Sequence, residues 1–179
     1  MIMKTGMRWM VLMACVAGVA GSRLWAGEGD EGGRAAARAT KAAEIKEHRA
    51  EKVAEIKKNR EAKHAEHSAE WTARHNDFVA KLTERLNKSQ HLDAAQKAEI
   101  LAFVEEQYGE NVEYWDAQHA ENIALLDAIA ADPNLTRDQI KAKVKAHIDS
   151  QKSENQEHRT EQKTERQEHR EKIKNEIQK

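Results

Sequence analysis

A chain of 179 residues with 34% charged side chains, 4% aromatics and a single proline lies outside the composition of sandwiches, barrels and other strand-built folds. From Gly27 onward, Leu, Ile, Val and Phe account for 23 of 153 residues. That density is below that of ordinary globular cores and matches long helices rich in Ala, Glu, Lys, Arg and Gln, so the expected fold class is all-α: long helices forming an antiparallel helical hairpin or a three-helix, coiled-coil-like assembly.

Residues 1–26 read as a signal peptide. Lys4 and Arg8 precede an apolar run from Trp9 to Gly21 that ends in small residues, and Ser22-Arg23-Leu24-Trp25-Ala26 follows, with cleavage expected after Ala26. A helix over that run reaches only about 20 Å against a hydrocarbon layer of roughly 30 Å, so no stable membrane span is expected after cleavage. The expected location is periplasmic or secreted. The alternative is a lipid anchor on Cys15, because Leu12-Met13-Ala14-Cys15 resembles a bacterial lipobox. Removal of the segment leaves 27 basic and 31 acidic residues, a charge of −4, and no cysteine. Nucleic acid is thereby excluded as an expected partner, and so are disulfides, thiolate ligands and a cysteine nucleophile.

Residues 27–34 read as a disordered Gly/acidic tail. A long charged N-terminal helix is expected over 35–88, its seam running through Val53, Ile56, His64, His67, Trp71, His75, Phe78 and Leu82. The segment 92–179 reads as a helical hairpin of two helices, 92–131 and 136–178. Each opens on a capping signal: Leu92 and Asp93 with Gln96 for the first, Leu135 and Thr136 with Gln139 for the second. The seam of the first hairpin helix is Leu101, Val104, Tyr108, Asn111, Trp115, His119, Asn122, Leu126 and Ile129, with Gly109 a weak point inside it. Asp132-Pro133-Asn134 is the turn between them.

The last helix carries an eleven-residue repeat, Glu154 to Arg159 recurring as Glu165 to Arg170 at five of six positions. Eleven residues take almost three turns, so the repeat holds its azimuth. Glu154, Glu157, Glu161, Glu165 and Glu168 fall on one face, and Arg159, Lys163, Arg166, Arg170 and Lys174 on the opposite one. The seam between them changes from Ile140, Val144 and Ile148 to Gln151, Asn155, His158, Gln162 and His169, then returns to Ile173 and Ile177. Such a helix is either a solvated, charge-laced rod or one whose faces mate with other helices or copies.

Nine histidines are present, and His147, His158 and His169 repeat at the same interval, as do His64 and His75. With the helices folded back in similar registers, His64, His67, His119 and His147 reach similar levels and are candidate ligands for Zn or a similar divalent metal. Alternatively, the seam histidines pack as neutral polar residues and loosen the bundle when they charge near pH ~6. No phosphate-binding Gly-rich loop or Ser nucleophile motif is present, so no enzyme activity and no organic cofactor is expected.

The run Leu92-Asp93-Ala94-Ala95-Gln96-Lys97-Ala98-Glu99-Ile100, with Leu135-Thr136-Arg137-Asp138-Gln139, resembles the paired Leu-Thr-x-x-Gln motifs of the Spy/CpxP group of periplasmic helical proteins. The resemblance covers roughly residues 89–179. It implies a long helical hairpin, a cradle-shaped dimer, and action as an ATP-independent chaperone or envelope-stress modulator. The function expected is thus that of an exported, non-enzymatic helical protein with unfolded protein clients and homodimeric or other helical self-association. The alternatives are a structural coiled-coil spacer of the envelope and a histidine-based metal-binding sensor.

Overall fold

The computed structural model describes residues 31–132 and 134–178; the segment expected to be a signal peptide, with the lipobox-like run at Cys15, and residues 27–30 lie outside them. Three helices account for nearly all of the described chain: α1 (Glu31–Lys88, 58 residues), α2 (Ala94–Ala131, 38 residues) and α3 (Arg137–Ile177, 41 residues). The all-α expectation holds, and no strand occurs among the described residues. None of the three helices is long and apolar enough to cross a membrane.

One boundary is corrected. The tail expected over 27–34 is helical from Glu31 onward. Gly32 and Gly33 disfavour helix by about 1 kcal/mol each, but the Ala-rich stretch behind them propagates it.

Both expected caps form. The Gln96 amide donates to Asp93 Oδ1 at 2.8 Å and the Asp93 amide to Gln96 Oε1 at 3.0 Å. At α3, Gln139 N donates to Thr136 Oγ1 at 3.3 Å and Thr136 N to Gln139 Oε1 at 2.8 Å. Two amides at each helix start are thus satisfied reciprocally. Leu135, just outside the second cap, is buried, whereas Leu92 is half-buried. Helix α2 runs through Gly109 without interruption.

The helices run α1 down, α2 up, α3 down, with α2 central. No Cα of α1 comes within 8 Å of one of α3 among the described residues, so both outer helices make their closest backbone approaches to α2. Arg49 of α1 pins the far end: its guanidinium donates to Asp132 O at 3.0 Å and Leu135 O at 2.9 Å, both in the α2–α3 turn. Helix α2 has no basic residue in its own last turn, and Arg49 supplies the cation that its carbonyl end favours. Residues 31–48 of the helix therefore overhang that turn by about 27 Å, and residues 33–48 are exposed there apart from the half-buried Ile45.

The eleven-residue repeat extends through all three helices. In α1, Val53, His64, His75 and Leu86 are successive equivalents. In α2 the set is Gln96, Gln107 and Gln118 with Glu99, Glu110 and Glu121; in α3 it is His147, His158 and His169 with Gln151, Gln162 and Ile173. Apolar burial is confined to the two ends. Val53, Leu126, Ile129, Leu135 and Val144 pack near the α2–α3 turn, and Leu86 and Ile173 are buried at the opposite end. Between them the buried residues are Gln107, Gln118, Asn122, Gln151 and Gln162.

Candidate functional site

The polar middle of the α2–α3 seam is built as two copies of one layer. In the first, Asn111 Nδ2 donates to Gln162 Oε1 (3.0 Å), Gln162 Nε2 to Glu110 (2.7 Å), Gln107 Nε2 to Glu165 (2.6 Å), and Asn111 Oδ1 lies 3.2 Å from His158 Nε2. One repeat along, Gln118 Nε2 donates to Glu154 (2.9 Å), Gln151 Nε2 lies 3.5 Å from Glu121, and Asn122 Oδ1 lies 3.2 Å from His147 Nε2. Buried amides are tolerated here because nearly every one finds a partner on the facing helix. In the third equivalent layer Ile100 and Ile173 replace the amides.

Flat rings pair across both seams. His64 stacks on His119 at 4.0 Å and His75 on Tyr108 at 3.8 Å between α1 and α2; Tyr114 stacks on His158 and Phe103 on His169, both at 4.0 Å, between α2 and α3. His75 Nε2 is also 2.9 Å from Glu105, and Thr72 Oγ1 is 2.9 Å from Tyr108 OH. Burial, followed by the neighbouring His64, pushes the His119 pKa below the ordinary imidazole value, against weaker opposition from Glu61 and Asp116. Tyr114 is pushed upward by burial and by Glu154 and Glu121.

Of the four histidines proposed as metal ligands, the structure brings together only His64 and His119. Their rings lie within 19° of parallel, so the in-plane nitrogen lone pairs do not aim at a common point. Asp116 Oδ1 is 3.1 Å from His64 Nε2 but out of line for a hydrogen bond, and that nitrogen is buried without one. His67 is exposed on α1, and His147 is on α3 against Asn122. No group of three or more His, Cys, Asp or Glu side chains is arranged to hold a metal among the described residues.

What the sequence did not reveal is a groove. Trp71, His75 and Phe78 of α1 form one wall, Phe103, Val104, Gln107, Tyr108 and Asn111 of α2 the floor, and Arg166 of α3 the opposite edge, around a volume of about 410 Å³. Phe78 is 53% exposed at the rim, a large aromatic left in water. Trp71 is backed by Trp115 at 5.7 Å. All six aromatic residues among those described fall between positions 71 and 115. Gln107 is buried in the floor, and its Oε1 has no hydrogen-bond donor, although its Nε2 is fully engaged by Glu110 and Glu165. The signal that locates the groove is this clustering of the aromatics, together with the basic face of α3 to which Arg166 belongs. The capping residues Leu92, Asp93, Gln96, Leu135, Thr136 and Gln139 lie at the helix ends, where they fix the turns that hold α2 as the groove floor. No protein family, curated protein or solved structure matches this chain.

Proposed function

We propose that the protein is a non-enzymatic helical binding protein that takes unfolded protein segments in the groove over α2, acting in the exported, ATP-independent manner of Spy/CpxP-like chaperones or envelope-stress modulators. The observation that carries this reading is the combination in one open groove of an exposed aromatic rim at Phe78, an apolar-aromatic floor and a cation at Arg166. An extended or nascent-helical segment offers apolar side chains for the rings and a carboxylate for the guanidinium. The groove is open rather than enclosed, which suits a chain passing through it better than a small molecule requiring envelopment.

Suppression of aggregation of a chemically denatured client tests this. The wild-type protein protects at equimolar amounts, and Phe78→Ser combined with Arg166→Ala loses most of that protection while keeping its helical circular dichroism. Absence of protection by the wild type overturns the proposal. A second reading, a spacer of the envelope, is favoured by the length of α1, about 87 Å, and by its overhang past the α2–α3 turn. A spacer gives no protection with either protein.

A further inference from the structure

The fold sorts the charges of α3 onto opposite sides. Arg166 stands on the groove edge, and Arg159, seven residues earlier, shares its azimuth to within about 20°. Both are exposed, and among the described residues neither makes an ion pair; nor do Lys163 and Arg170. The acids that would neutralise them in an ordinary charge-laced helix are turned away. Glu154 and Glu165 accept from Gln118 and Gln107 inside the α2–α3 seam. Glu157, Glu161 and Glu168 are exposed and fall within about 40° of one another, on the far side of α3 from Arg166. Of these three, Glu157 accepts from Ser153 on its own helix. The fold therefore leaves an unpaired basic edge beside the groove and an exposed acidic stripe behind it.

We propose that the partner of the basic edge is a second copy of this chain, docking through the Glu157, Glu161 and Glu168 stripe of its own α3. Glu161 to Glu168 and Arg159 to Arg166 are both seven residues, about 10.5 Å along a helix, so two helices laid side by side form both pairs at once. Stripe and edge are different surfaces, which makes the contact heterologous: it repeats head to tail into a ring or an open chain and cannot close as a two-fold pair. Pairing two grooves face to face would set cations against cations. This inference goes beyond client binding and stands without it, since it needs only the charges flanking α3.

Sedimentation velocity on the full chain tests it, at about 50 mM and about 500 mM salt, where the Debye length falls from roughly 14 to 4 Å. The wild type shows a sedimentation coefficient that rises with concentration at low salt, with association weakened about tenfold or more at high salt. Glu157→Lys/Glu161→Lys/Glu168→Lys and Arg159→Glu/Arg166→Glu are each monomeric alone at low salt. Their equimolar mixture associates again, because each variant's stripe is complementary to the other's edge; this also shows that both are folded. A wild type that is monomeric at low salt, that forms a single closed dimer, or whose association ignores salt overturns the proposal. So does a mixture no more associated than its components, when circular dichroism shows both to be helical.

Discussion

Replacing one polar layer of the α2–α3 seam by the apolar layer found one repeat away separates the worth of a satisfied amide from the cost of an orphaned one. Gln162 is 4% exposed; its Oε1 accepts from Asn111 at 3.0 Å and its Nε2 donates to Glu110 at 2.7 Å. Asn111→Ile strips the buried Gln162 oxygen of its donor and His158 of its acceptor, a loss of about 1–3 kcal/mol. Gln162→Ile costs less, about 1 kcal/mol, because Asn111 Nδ2 keeps Gln107 O and the Glu110 carboxylate keeps Gln107 Nε2. The double variant recreates the Ile100 and Ile173 layer and leaves no buried amide from this pair unmatched. It is expected to be as stable as the wild type or more so, since both partners are replaced together. The cycle then carries a favourable coupling of about 2–4 kcal/mol, the sum of the two single losses, or roughly 10 °C in Tm for a chain of this size. Thermal and urea denaturation followed by circular dichroism, near pH ~8 where imidazoles are neutral, measures it. Additivity of the two single effects to within about 0.5 kcal/mol would refute the reasoning, since the amides would then be acting independently through water.

Gly109 lies inside α2 and a Cβ there meets nothing within 4 Å, so Gly109→Ala raises stability by about 0.5–1 kcal/mol in the same denaturation assay. Arg49→Ala loosens the α2–α3 turn by about 1–2 kcal/mol, read as faster amide exchange around Leu135, and Arg49→Lys restores little because an ammonium cannot fork to two carbonyls. Burial and His64 hold the His119 pKa below the ordinary 6.5, so the fold favours neutral imidazole. Its contribution is complete above that value and is lost as pH falls through the lower folded-state value. The Tm of the wild type should therefore drop more between about pH 7 and pH 5 than that of His119→Phe, which keeps a flat ring against His64 without a titrating group; identical profiles would remove His119 as a cause.

Fold class, both capping boxes and the polar stretch of the α3 seam were legible because each depends on near neighbours. A cap spans four residues, and the eleven-residue period restores azimuth every three turns whatever the helix later packs against. The start of α1 was misplaced because two glycines outweigh their neighbours in a local reading, whereas an Ala-rich helix pays its nucleation cost elsewhere and extends backward. The histidines show where local reasoning stops. Periodicity assigned His64, His67 and His119 to seams, yet which rings meet depends on registers between helices, and these turned His64 onto His119 as a flat stack and sent His147 to Asn122.

By itself the sequence determined three amphipathic helices, the starts of α2 and α3, and the segregation of acid from base along α3, all of which follow from spacing along one chain. Only the tertiary structure decided that α2 is shared by two partners whose Cα atoms stay more than 8 Å apart among the described residues, that Arg49 closes a turn more than eighty residues away, and that the aromatics and the basic edge of α3 line one groove. The physical reason is the thin core. With apolar burial confined to the two ends and hydrogen-bonded amides between them, the placement of the outer helices on α2 is set by side chains meeting across helices, and no period within a single helix encodes that meeting.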